Sequence, residues 1–220
     1  MSYKSVHTLQ QRRWNLAQYF EERWWKNYLR KQPMKDYLDW KRSYWHDFLL
    51  KTQVKLENGE RILDAGTGPA GIQMILSKQS VTAIDLLLDT YEKLDHFDPS
   101  FYPWTSFRRS AIESMQEEDS FDHVFCLNVI NHVVDIDQAC DRLCAALRPG
   151  GTLVMSIDCH KYSWAKRVLN SIPLDILHPH QFDLEEYIAL LSKRGIRIKH
   201  QACIKKSGLF DYWVISGEKA

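Results

Sequence analysis

Arg61-Ile-Leu-Asp-Ala-Gly-Thr-Gly-Pro-Ala-Gly71 is the stretch whose reading decides the fold. It reads as a buried strand over 61–64 running into a glycine-rich turn, with a helix expected from about Pro69. Gly66 and Gly68 permit a sharp turn and let a ligand approach the backbone, because a residue without Cβ accepts dihedrals that others refuse. Pro69 suits a first helical turn, where its missing N–H removes no bond. Gly71 lets the helix pack closely on the strand. A turn of this kind presents bare backbone and a helix N-terminus to a small molecule.

As a bare pattern, Gly66-x-Gly68-x-x-Gly71 is the dinucleotide-binding fingerprint, which alone does not separate one cofactor from another. A second strand, 81–84, ends in Asp85. That puts a carboxylate at the tip of the neighbouring strand, where it can accept hydrogen bonds from ribose hydroxyls. At this point a nicotinamide cofactor and a nucleoside cofactor without phosphates are equally compatible with the residues.

The middle of the chain separates them. Ser110-Ala-Ile-Glu113 follows a candidate third strand. Phe121-Asp-His-Val-Phe-Cys-Leu-Asn128 reads as a fourth strand, mostly core, with a functional end near Asn128. Leu147-Arg-Pro-Gly-Gly-Thr-Leu-Val-Met-Ser156 reads as a helix end, a tight turn and a fifth strand. The glycine turn, an acid about twenty residues beyond the first strand's acid, and Leu147-Arg-Pro-Gly-Gly151 occur in one order. That order resembles the class I S-adenosylmethionine-dependent methyltransferases, in the branch of quinone-biosynthesis and small-molecule enzymes, over roughly residues 55–217.

The resemblance implies an α/β fold. It is a Rossmann-like, seven-stranded, mostly parallel sheet with an antiparallel edge strand, helices on both faces and an N-terminal helical extension. It implies S-adenosyl-L-methionine as cofactor. Asp64 would then lie under the glycine turn near the methionyl ammonium, with Gly66 and Gly68 against the nucleoside and amino-acid tail. Asp85 would hold the ribose and Leu86 lie against the adenine. Ala111 and Ile112 would offer backbone and packing to the adenine edge, and Asn128 and Val129 would sit beside the sulfonium. Ser110 departs from the pattern, since many relatives carry Asp there. A structural reading stands beside these roles: Asp64 is equally suited to pinning the turn, and His132 to a local hydrogen bond.

The 220 residues suit one α/β domain with an added segment, and the net charge of +1 makes no general case for nucleic acid. No apolar run reaches the ~18 residues that cross a bilayer, and the polar, aromatic N-terminus lacks a signal-peptide core. The cysteines, Cys126, Cys140, Cys144, Cys159 and Cys203, form no Cys-x-x-Cys pair and read as free thiols of a cytoplasmic protein. Cys140 and Cys144 lie one helical turn apart, but no matching pair is near in sequence, so no metal is expected.

Residues 1–59 carry twelve Lys/Arg against six Asp/Glu. They hold Trp14, Trp24, Trp25, Trp40 and Trp45, with Tyr19, Phe20, Tyr28, Tyr37, Tyr44 and Phe48 between them. Two or three helices are expected, broken near Gln32-Pro33. Helical aromatic stripes usually mean packing. A lid with aromatic walls over the substrate pocket is the functional reading, and a basic face for nucleic acid or membrane is opposed by Asp36, Asp39 and Asp47. The expected division is an aromatic-rich lid over 1–55 and a cofactor-binding domain over 56–220.

Beyond the fifth strand, Asp158-Cys-His-Lys-Tyr-Ser-Trp164 leaves the sheet at its ligand-binding end, and a helix is expected near 164–170. Asp183 reads as an N-cap with Glu186 completing a capping box for a helix over 184–194, closed by Gly195. Strands near 197–204 and 212–216 would form a final hairpin. His160, Tyr162, His178 and His180 fall on segments that can overhang the pocket, and His180, His178 and Tyr162 are the candidates for a catalytic base.

The function read from these residues is methyl transfer to an O, N or C atom of a small-molecule acceptor, aromatic or anionic. The sulfonium is already an activated leaving group, so the protein mainly supplies alignment and a dry pocket. Asn128-Val-Ile-Asn131 lacks the Asn/Asp-Pro-Pro-Tyr/Phe signature of enzymes that methylate nucleobase amines. Two other classes stay open: a nicotinamide-dependent oxidoreductase, which shares the glycine turn, and a non-catalytic domain that keeps the fold.

Overall fold

The computed structural model describes residues 23–160, 182–208 and 210–220. Tyr162, His178, His180 and the helix expected near 164–170 lie outside them. The strands are β1 (Arg61–Ala65), β2 (Ser80–Asp85), β3 (Thr105–Arg109), β4 (Phe121–Leu127), β5 (Leu147–His160), β6 (Ile196–Lys206) and β7 (Phe210–Lys219). They form one seven-stranded sheet in the order β3-β2-β1-β4-β5-β7-β6. The first five run parallel. β7 runs against both β5 and β6, so the final hairpin closes the sheet as an antiparallel edge. β1 is flanked by β2 and β4, and the chain order reverses there; ligands of open α/β sheets bind outside strand ends at such a point.

The helices are α1 (Met34–Thr52), α2 (Leu88–Tyr91), α3 (Ile136–Ala146) and α4 (Leu184–Ser192). Side chains alternate across a strand, and the sheet separates its two faces accordingly. Ile62, Phe125, Val154 and Val214 pack under α1 with Leu38, Trp45 and Phe48. Leu63, Val124, Met155 and Ile215 pack with α3 and α4. Asp183 caps α4 in the expected capping box with Glu186, and Gly195 follows with φ +80°. The Leu147–Gly151 turn is absorbed into β5 as a bulge, with Gly150 at φ +75°.

Residues 23–29 are helical, and Pro33 starts α1 after the expected break. The aromatics of this region divide. Tyr37, Trp45 and Phe48 are buried, whereas Trp24 and Trp40 are more than half exposed. α1 is also tied to the far strands, for Ser216 Oγ donates to Thr52 O (3.2 Å) and His200 Nε2 meets Lys51 O (2.9 Å).

The helix expected from Pro69 does not form. A single 3₁₀ turn, Ile72–Ile75, stands in its place. The crossover over 66–79 must travel back along β1, whose five residues at ~3.3 Å each span about 16 Å. After the glycine turn only residues 72–79 remain, and an α-helix of that length would cover only about 12 Å at ~1.5 Å per residue. A 3₁₀ turn followed by looser chain covers more ground. Two carbonyls of this segment are met by indoles. Trp45 Nε1 donates to Ala70 O and Trp104 Nε1 to Gln73 O, each at 2.9 Å.

Candidate active site

A cavity of about 760 Å³ opens at the carboxyl ends of β1, β2 and β4, with α1 and β7 along one side. Gly66, Gly68, Asp85, Leu86, Ala111, Ile112, Asn128 and Val129 all line it, and so does Ser110. Asp64 lies beneath the glycine turn, 1% exposed. Thus all nine residues singled out for the cofactor gather around one space.

The two turn glycines are needed for different reasons. Gly66 has φ +77°, and a Cβ there would sit 2.4 Å from Val129 Cγ2, so packing forbids it. Gly68 has φ +60°, but a Cβ there would meet nothing nearer than Trp25 at 3.9 Å. It would project into open room of the size a ligand needs. Asp85 holds this turn against β2: its Oδ2 accepts from Gly68 N (2.9 Å) and its Oδ1 from Leu87 N (2.8 Å). Burial pushes the Asp85 carboxyl up, while those N–H groups favour its charge. The Leu86 N–H and the Tyr91 hydroxyl favour its charge as well. At the loop after β4, Glu113 Oε1 accepts from Val134 N (2.8 Å), which fixes the wall that follows Val129.

Residues 63–155 match the family described as Methyltransferase domain. The human mitochondrial ubiquinone biosynthesis O-methyltransferase is 24% identical over 87% of this chain, and the chain spans 57% of that protein's length. A Bacillus halodurans C-125 protein described as a methyltransferase superposes with TM-score 0.65 at 14% identity, covering 80% of this chain and 99% of its own. Geranyl diphosphate methyltransferase in complex with S-adenosylmethionine superposes with TM-score 0.63 at 13% identity, covering 79% of this chain and 84% of its own.

Residues 63–155 thus carry the mark of a methyltransferase domain, on the fold of the solved methyltransferases.

The polar groups under the glycine turn bear on how a bound cofactor would be met. Thr67 Oγ1 lies 2.8 Å from Asp64 Oδ2 and 3.0 Å from the Gln73 side-chain amide. Thr67 has one hydroxyl hydrogen, which the carboxylate takes. The Gln73 Nε2 is buried without a hydrogen-bond partner among the described residues. Burial pushes the Asp64 carboxyl up to about 7, opposed by Thr67, by the Gln73 backbone and by Lys41.

Lys41 was not legible in the sequence. It projects from α1 into the cavity, its ammonium 4.9 Å from the Trp45 ring and 5.3 Å from the Tyr44 ring. Burial draws it down to about 8, and Asp64 opposes the drop. Tyr44, Trp45, Asp158, Lys205 and Tyr212 complete this side of the cavity. The period-2 alternation of the strands explains why Asp64, Ser156 and Asp158 share it, since they fall in step with Ile62 and Val154 on the α1 face. No short motif joins these residues. The one signal available in sequence was the aromatic density of the N-terminal segment.

His132 also lines the cavity. Cys140 and Cys144 are buried in α3, and burial pushes their thiols up to about 12 and about 11. Among the described residues no group of three His, Cys, Asp or Glu is placed to hold a metal, and no helix is long and apolar enough to cross a membrane.

Proposed function

We propose that this chain transfers a methyl group from S-adenosylmethionine to an oxygen, nitrogen or carbon atom of a small molecule, oxygen first. The observation that carries the reading is the convergence of the glycine turn, Asp85, the 110–112 segment and the Asn128–Val129 end of β4 on one cavity. The human relative is an O-methyltransferase by name, which favours oxygen.

The proposed cofactor contacts are Gly66 and Gly68 against the nucleoside and its tail, Asp85 at the ribose, and Leu86, Ala111 and Ile112 around the adenine. Asn128 and Val129 border the reacting end. The amino-acid end of the cofactor is a zwitterion. Asp64 and Lys41, coupled electrostatically across the turn, offer it opposite charges. When bound, the sulfonium supplies an activated methyl group. The chain itself aligns the acceptor, excludes water and disposes of the acceptor's proton.

The N-terminal segment to about residue 55 is the proposed cover of the acceptor half. Its support is that Trp25, Lys41, Tyr44 and Trp45 line the cavity. Their aromatic rings and cation suit an aromatic or anionic acceptor. His178, His180 and Tyr162, which follow β5 in the chain, are proposed to approach the same half. A cytoplasmic setting is the reading that free thiols favour.

The test is a labelled-methyl screen over phenols, carboxylates, amines and quinone precursors, with thermal stabilisation by S-adenosylhomocysteine compared with NAD. Stabilisation by NAD alone would replace this reading with the oxidoreductase one. Stabilisation by S-adenosylhomocysteine without transfer to any acceptor class would favour a binding domain.

A further inference from the structure

Three elements far apart in sequence each bring one hydroxyl to the α1 side of the cavity. Ser156 is on β5 and fully buried. Tyr212 is on β7, its hydroxyl 2.7 Å from Ser156 Oγ. The Tyr212 hydroxyl is in turn coupled electrostatically to that of Tyr44 on α1. Tyr44 and Tyr212 line the cavity. Ser156 stands opposite Leu127, the last residue of β4, and its carbonyl accepts from Asn128 N (2.9 Å). The chain of hydroxyls therefore starts beside the end of β4, where the reacting groups meet in the reading above.

The hydrogens can be counted. Three hydroxyls own three hydrogens, and the Ser156–Tyr212 link consumes one of them. Ser156 Oγ has no other hydrogen-bond partner among the described residues, so its hydrogen belongs to Tyr212. The Tyr212 hydrogen is then free on the side of Tyr44, and the Tyr44 hydrogen is left for the cavity. Burial pushes both phenols up, so neither gives up its proton near neutral pH. The charged groups around Tyr44 are Lys41 on its own helix and Asp158 and Lys205 across the cavity.

We propose that Tyr44 is a catalytic residue that donates its hydrogen bond to the acceptor's nucleophilic oxygen, with Tyr212 and Ser156 as the positioning residues that aim it. The inference rests on the methyl-transfer reading and adds the substrate class and the group that selects it. An oxygen acid, such as a phenol or carboxylic acid, offers lone pairs to this donor. An ammonium has no lone pair to accept this donor's hydrogen. In the step, the acceptor O–H ionises to water, favoured by the Tyr44 donor. The oxygen then forms its bond to the methyl carbon as the carbon–sulfur bond breaks, leaving a neutral thioether and a methyl ether or ester.

The experiment uses the full chain with S-adenosylhomocysteine and 4-nitrophenol, whose ionisation is read by absorbance. Quenching of tryptophan fluorescence reports its arrival beside Trp45 independently of any turnover. The expected result is that bound 4-nitrophenol ionises at lower pH than the free phenol. Tyr44→Phe should remove that shift and weaken binding of the ionised probe about tenfold, the scale of a lost hydrogen bond to a charged group. Tyr212→Phe and Ser156→Ala should each remove part of it. All three should bind S-adenosylhomocysteine as the native chain does, with unchanged circular dichroism. A shift that survives in Tyr44→Phe overturns the proposal, as does failure of 4-nitrophenol to bind the S-adenosylhomocysteine complex. So does a methyl-transfer screen in which amines outrun phenols and carboxylates. Should Tyr44→Phe not fold, the Tyr212→Phe titration decides, and an undiminished shift there overturns it equally. Failure of the native chain to bind S-adenosylhomocysteine would instead sink the methyl-transfer reading beneath.

Discussion

The two ends of the cavity are built from different material. The glycine-turn end is backbone: two turns at strand tips, pinned by Asp85 through Gly68 N and Leu87 N. The α1 end is side chain: Lys41, Tyr44, Ser156 and Tyr212, drawn from three elements and from both halves of the chain. The first end is local in sequence and tolerates little change of shape. The second depends on α1 staying docked, and its chemistry can vary without disturbing the sheet. A fold arranged this way can hold one cofactor and change its acceptor.

The largest test of that contrast is removal of residues 1–50. An independent lid would leave a folded cofactor domain behind. Here α1 buries Tyr37, Leu38, Trp45 and Phe48 against the sheet, and a single buried Phe→Ala typically costs ~3–5 kcal/mol. The truncated chain should lose its cooperative thermal transition in circular dichroism, taking cofactor binding with it. A folded truncation would show that the two ends are separable after all.

Next come the turn glycines. Gly66→Ala meets Val129 at 2.4 Å and keeps a positive φ, so it should cost ~1–3 kcal/mol of stability from overpacking besides the strain. Gly68→Ala has room and should cost only the ~1–2 kcal/mol of a left-handed residue. Yet it should weaken S-adenosylhomocysteine binding, because its methyl group takes ligand space. Chemical denaturation and calorimetry on the pair separate packing from ligand room. Equal stability losses would refute the distinction.

Asp85→Ala should weaken S-adenosylhomocysteine binding by ~1.5–3 kcal/mol, the scale of hydrogen bonds to a charged group. Unchanged affinity by calorimetry would remove Asp85 from the ribose. Trp45→Phe keeps the ring but deletes the donor to Ala70 O. It should cost ~0.5–1.5 kcal/mol, with a loss of cofactor affinity showing that α1 steadies the glycine turn.

The last test is the pH response of Asp64. Its folded-state carboxyl is raised to about 7 by burial. The folded chain therefore holds a proton that the unfolded chain has released, so stability should fall as pH climbs from the ordinary carboxylate range to about 7 and level off above it. A cationic ligand beside Asp64 favours its charged form. S-adenosylhomocysteine, with its ammonium, should then bind more tightly as pH rises toward 7, releasing protons measurable by calorimetry in buffers of different ionisation heat. Asp64→Asn should flatten both profiles.

Most of the sheet was legible because the signals are local. Strand alternation, an acid at each of two strand tips and Gly66-x-Gly68 declare themselves within a few residues. The Asp183–Glu186 capping box did so as well, for the same reason. The helix after Pro69 failed because its propensity is local but its length is not. The distance back along β1 decided how much chain could coil, and residues 72–79 were too few. The hydroxyl chain was invisible because nothing in the spacing of Tyr44, Ser156 and Tyr212 links them.

The sequence by itself determined which backbone turns could form, which faces of strands were apolar, and therefore the open α/β sheet with its cofactor end. Only the tertiary structure decided what stands opposite that end. Docking α1 across the sheet is a long-range packing event, driven by buried area with no short-range pattern to announce it. It is that docking which turns Lys41 toward Asp64 and Tyr44 toward Tyr212.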